Sequence, residues 1–136
     1  MLKMEGYYDV SYDRPRKLIR ISTYGFWNME VARHFERAID EVARISGGKS
    51  DTLLNICRTE IHTPEVSEAL ARISSNHDHV TGGRIAVVVS SMLLRMQTKR
   101  MQAADAHYGY FDSEEAALEW LESGKALQPS ANPNGA

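Results

Sequence analysis

This chain of 136 residues is poor in the features that staple small folds together or carry a protein across a boundary. It has one cysteine, so no disulfide can form within it. Neither sign of charge dominates: 16 basic against 18 acidic residues, spread along the chain, leave a net charge of -2 and no field suited to a phosphate backbone. Nucleic acid is therefore not an expected partner. No apolar run approaches the ~20 residues of a membrane-spanning helix. The opening "MLKMEGYYDV" also lacks the apolar core of a signal peptide, so the expectation is a soluble, cytoplasmic protein. No internal repeat is visible. What is present is an ordinary globular composition, 43% hydrophobic and 25% charged, enough for one domain with one real core.

Two short strands open the chain, Tyr7 to Tyr12 and Leu18 to Tyr24, where β-branched and aromatic residues alternate with polar ones on either side of "DRPRK". They are expected to pair as an antiparallel hairpin. After Gly25 the period changes. Val31, Phe35, Ala38, Ile39 and Val42 recur at helical spacing, predicting a first helix from about Asn28, a plausible N-cap, to Ile45, stopped by the glycines of "SGGKS". "TLLNIC" is apolar on both faces apart from Asn55 and reads as a strand inside the sheet. A second helix begins at Thr63 and turns Val66, Ala69, Leu70 and Ile73 toward the sheet. "RIAVVVS", after a glycine pair, is the most strand-like segment. "SMLLRMQTKRMQAADA" follows as helix three, "YGYF" as a last strand and "SEEAALEW" as helix four. The expected domain spans residues 1–122, and the small, polar, helix-breaking residues of 123–136 form a disordered tail. Strands and helices alternate, so the prediction is an α/β domain in the order β-β-α-β-α-β-α-β-α, with a five-stranded sheet that is parallel except for the opening hairpin.

Order and spacing over Tyr7 to Leu121 resemble the STAS-like, SpoIIAA-like family, which includes the bacterial anti-sigma-factor antagonists. The carriers are "TLLNIC" running into a helix, the strand "GGRIAVVVSS" and the closing "YFDSEEAALEWL". The resemblance implies a phospho-switch turn where strand three enters helix two. Matched without gaps from "LLNI", Thr63 falls at that turn's aspartate, Pro64 and Glu65 at its two serines and Val66 at its glycine. The family's phosphoacceptor serine is thus absent, and Glu65 would place a fixed negative charge in the first helical turn. A regulatory, non-enzymatic module that contacts a protein partner or its own copy is what the resemblance implies.

The same turn has a purely structural reading, which is favoured: Thr63 caps the helix, Pro64 takes the first helical position and Glu65 favours the positive end of the dipole. Thr59, Thr63 or Ser67 as displaced phosphoacceptors is the competing one. Cys57, with His62 five residues on, reads as a small core hydrophobe rather than a nucleophile, since no glycine-rich oxyanion turn stands beside it. His77, Asp78 and His79 read as a polar helix end, because Glu60, His62 and His107 have no spacing that guarantees a third metal ligand. No cofactor or metal is expected. Helix three is too apolar for one sheet-facing stripe: Met92, Leu93, Leu94, Met96 and Met101, with Arg95, Lys99 and Arg100 beyond, suit an interface or a ligand surface as well as core filler. The alternative to a contact module is a carrier for a small apolar or lipid-type ligand with an anionic head. It would have Met92, Met96, Phe26 and Trp27 as walls, Arg95 or Lys99 for the charge, and Ser90 and Ser91 as an anion site at the helix start.

Overall fold

The computed structural model describes residues 5–48, 50–102 and 107–126, the side chains of 77–82 and 125–126 excepted. The chain order is β1 (Tyr7–Asp13), β2 (Leu18–Gly25), α1 (Met29–Ser46), β3 (Ser50–Thr59), α2 (Pro64–Thr81), β4 (Gly82–Val88), α3 (Met92–Met101), β5 (His107–Phe111) and α4 (Glu114–Ala126). The five strands lie side by side in sequence order. β1 and β2 pair antiparallel and the other three pairings are parallel, as the alternation predicts.

Each helix start is written locally. The Asn28 side chain accepts the Val31 amide at 2.9 Å, the Thr63 hydroxyl accepts the Val66 amide at 3.3 Å and the Ser91 hydroxyl accepts the Leu94 amide at 3.2 Å. Each satisfies one donor that the first turn leaves orphaned. Helix α1 stops at Gly47, whose φ of 72° is the left-handed conformation that glycine adopts freely. Helix α3 ends at Met101 with Gln102 already extended, and the expected continuation over 103–106 lies outside the described residues. Helix α4 continues past the expected limit to Ala126, because Arg84 stacks on the Trp120 ring, 3.6 Å from its centroid, and donates to the Trp120 carbonyl at 2.9 Å. The rest of the expected tail, from residue 127, is outside the described residues.

Helices α1, α2 and α3 cover one face of the sheet and α4 covers part of the other. Strand β4 shows why its sequence is apolar without a break. Ile85 and Val87 pack with Leu94 on the three-helix side, while Ala86 and Val88 pack with Ala117 and Leu121 under α4. The largest cluster joins Ile19, Ile21, Trp27, Phe35, Ile39 and Ile73 between β2 and the first two helices. Helix α4 stops short of β1 and reaches β2 only at Leu18. Tyr7, Asp9 and Ser11 therefore stand exposed on that side, and Tyr7 stacks on Tyr24 of β2 with ring centroids 4.4 Å apart.

One glycine is dictated by close approach. A Cβ on Gly83 would sit 2.1 Å from the Ser50 carbonyl oxygen, where β4 begins against a bulge in β3. Gly83→Ala is expected to cost about 1–3 kcal/mol, read as a lower midpoint in chemical denaturation. An unchanged midpoint would show that the two strands can separate at this end without loss.

Candidate functional site

The C-terminal ends of β2 and β3 run on beyond β4. β2 pairs with β3 as far as Gly25 opposite Thr59, whereas pairing of β3 to β4 finishes at Asn55 opposite Val88. The Thr23 and Thr59 hydroxyls hydrogen-bond across the overhang. From it the chain passes through Glu60, Ile61 and His62 into the cap of α2. This connection is tied to α3 by one side chain: Gln97 accepts the His62 amide and donates to the His62 carbonyl, both at 2.9 Å. Such a two-bond clamp satisfies both backbone groups of a loop residue that no regular element pairs. It also makes the turn and α3 one continuous surface.

On that surface the apolar residues point outward. Met92 is 67%, Leu93 69% and Met96 45% exposed, and Ile61 beside the clamp is 43% exposed. Only Leu94 and Thr98 of α3 are buried, the Thr98 hydroxyl donating back to the Leu94 carbonyl. Of the basic residues, Arg95 and Lys99 turn toward β5, with Arg95 Cζ 5.5 Å and Lys99 Nζ 5.3 Å from the Tyr110 ring centroid. Burial pushes the Tyr110 hydroxyl up to about 12, against the opposing effect of the Arg95 charge.

The residues singled out from the sequence divide accordingly. Thr63, Pro64, Glu65 and Val66 form the first turn of α2, with Glu65 exposed and Val66 buried. The Thr59 hydroxyl is bonded to Thr23, that of Thr63 is the helix cap, and Ser67 Oγ is buried without a hydrogen bond. Ser91 caps α3 beside an exposed Ser90. The four proposed walls do not meet. Trp27 is 1% exposed, its indole donating to the Tyr24 carbonyl and its ring against Tyr8 and Phe35, whereas Met92 and Met96 face outward. Phe26 is half-buried at the β2 edge, bridged to Glu5.

Cys57 is exposed rather than a core hydrophobe, because β3 runs on to Thr59 while the cover supplied by α4 ends at Glu114, whose carboxylate accepts the Asn55 side-chain amide at 2.8 Å. It lines a shallow polar cleft of about 350 Å³ with Tyr24, Asn55, Arg58 and Glu114 on the α4 side of the sheet. His62 lies on the opposite side, so the two do not form a nucleophile-base pair. The side chains of His77, Asp78 and His79 are outside the described residues, and among the described ones no three His, Cys, Asp or Glu side chains converge on a metal position. No described helix is long and apolar enough to cross a membrane.

Sequence reasoning passed over two features. Gln97 had no visible partner, because His62 is 35 positions away. The other is a cavity of about 130 Å³ between the sheet and α1, α2 and α3, with His62 on its wall. Burial holds the His62 imidazole down at about 4, so the ring is neutral near pH 7.

No family model and no curated protein matches the chain. Solved structures do. An uncharacterised protein of the DUF3478 family with a SpoIIAA-like fold, from Shewanella loihica, is 13% identical with a TM-score of 0.64, over 85% of this chain and 94% of that one. An anti-sigma factor antagonist from Mycobacterium paratuberculosis is 16% identical with a TM-score of 0.57, over the same shares of both chains. The fold is SpoIIAA-like, as the order and spacing of the elements imply.

The depressed His62 pKa makes a signed prediction. An unfolded histidine takes its proton near 6.5 and the folded one near 4, so the unfolded state binds more protons between those values. Stability should fall as pH drops through that window, by at most about 1.4 kcal/mol per pH unit from this group. Denaturant titrations at pH 7, 6 and 5 should show a shallower fall in His62→Phe than in the wild type. Parallel curves would place the pH dependence elsewhere.

Proposed function

We propose that this SpoIIAA-like domain is a non-enzymatic regulatory module that binds a protein partner through the surface shared by the β3–α2 turn and α3. The observation that carries the reading is the Gln97 clamp on His62, which presents the turn and the outward-facing Met92, Leu93 and Met96 as a single face. Exposed methionines adapt to irregular partner surfaces, and an apolar cluster left facing solvent on a short helix is a mark of an interaction site. The likeness to an anti-sigma factor antagonist supports a regulatory role of this kind.

Two details refine the reading. Glu65 stands exposed in the first turn of α2, so the turn carries a constant negative charge where a switch of this fold would gain or lose one. The domain then signals by its presence rather than by modification of this turn. Cys57 and His62 line different clefts on opposite sides of the sheet, which argues against their acting as a nucleophile-base pair. The lipid-carrier alternative lacks its walls, because Trp27 is in the core while Met92 and Met96 are outside it.

The test is affinity capture from the source cells with wild type, Leu93→Glu, Gln97→Ala and, on the opposite side of the sheet, Asp9→Lys. A protein held by wild type and Asp9→Lys should be lost with Leu93→Glu and reduced with Gln97→Ala. Binding of the purified partner should weaken at least tenfold in Leu93→Glu, at an unchanged melting temperature. Equal capture by Leu93→Glu and wild type would end the proposal.

A further inference from the structure

The cavity beneath the turn combines two properties that call for one kind of occupant. Its wall is mostly aliphatic and aromatic, with Ile19, Ile39, Ile73, Ile85 and Phe35 among the residues that line it. At about 130 Å³ it is close to the size at which an apolar cavity takes up a single six-membered ring, and far too small for an acyl chain. Set into this wall is His62, whose Nδ1 is buried and makes no hydrogen bond.

Three of the other polar residues on the wall are engaged elsewhere. The Thr98 hydroxyl donates to Leu94, that of Thr23 bonds Thr59 and the Gln102 side-chain oxygen accepts the Tyr110 hydroxyl. Two further buried side-chain atoms without a partner among the described residues, Ser67 Oγ and Arg95 Nε, belong to residues that do not line the cavity. An unpaired buried nitrogen costs about 1–3 kcal/mol. A wholly apolar molecule would leave the nitrogen unpaired.

We propose that the cavity is a binding site for a small, uncharged ring molecule bearing one hydroxyl, of the phenol class, whose ring fills the aliphatic space and whose hydroxyl pairs with His62 Nδ1. A hydroxyl suits this nitrogen in either tautomer of the neutral imidazole, because it can both donate and accept. A carboxylate or ammonium does not, since nothing on the wall offsets the cost of burying a charge. The partly exposed Ser74, Met101 and Gln102 are where the described lining reaches solvent. This inference goes beyond the contact surface and does not depend on it, although the ligand would sit against the residue that Gln97 clamps to α3.

Phenol and benzene titrated into the full chain, followed through its isoleucine methyl NMR signals, test the assignment. Saturable shifts are expected at Ile19, Ile39, Ile73 and Ile85, which line the cavity, and not at Ile45 and Ile61, which are exposed elsewhere. Phenol should bind several-fold more tightly than benzene in the wild type. His62→Leu, which leaves the backbone bonds to Gln97 in place, should reverse that order, and Ala43→Leu, which fills the cavity from α1, should abolish both. No saturable shift at the lining methyls, or shifts at Ile61 alone, would overturn the site. Benzene binding as tightly as phenol in the wild type would overturn the role of His62, and that comparison stands even if a variant fails to fold.

Discussion

A parallel strand inside a sheet must be dry on both faces, and in this protein β4 sets that demand. Ala86 and Val87 have no exposure at all and Val88 has 2%. Something has to lie over each side of the strand, and chain order assigns α3 to one and α4 to the other. Helix α3 has only ten residues and meets its share with Leu94 and Thr98. Met92, Leu93 and Met96 have no strand beneath them. The outward-facing methionines are thus a by-product of how little of the helix the sheet uses, which is what frees them for contact with another molecule.

The same arithmetic explains what could be read from the chain in advance. Caps at Asn28, Thr63 and Ser91 act over three residues, so residue type and position betray them. β4 announced itself because burial on both faces removes polar residues altogether. Cys57 did not, since its exposure depends on where α4 begins, a fact written 57 positions further on at Glu114. Trp27 looked like part of a rim because it follows the end of a strand. It is instead the centre of an aromatic cluster that assembles only once α1 brings Phe35 back against Tyr8 and Trp27. Local chemistry was legible. Pairings between distant segments, above all that of Gln97 with His62, were not.

His62 joins the interior to the surface. Its backbone is held by α3, its ring packs edge-on against Trp27 at 5.9 Å, and its Nδ1 lies at the wall of the cavity. A residue placed this way leaves little slack: the turn cannot shift without disturbing either the clamp or the aromatic cluster. Dense packing transmits such displacements rather than absorbing them. The geometry of the proposed contact face and the filling of the core are set by one imidazole and its peptide.

The attachment of α4 leads in another direction. This helix covers Leu18, Leu53, Ala86 and Val88, and its far end is pinned by the Arg84 guanidinium lying on Trp120. Arg84 is itself placed by its own amide, which donates to the Asp51 carboxylate at 3.0 Å. Proteolysis or a nonsense codon that removed the chain from Trp120 onward would take away Leu121 and the Arg84 anchor and so loosen the cover over Leu18, Leu53, Ala86 and Val88, leaving neighbouring apolar strands open to self-association. Protein quality control would meet the truncated chain as an aggregation-prone species rather than as a shorter working domain.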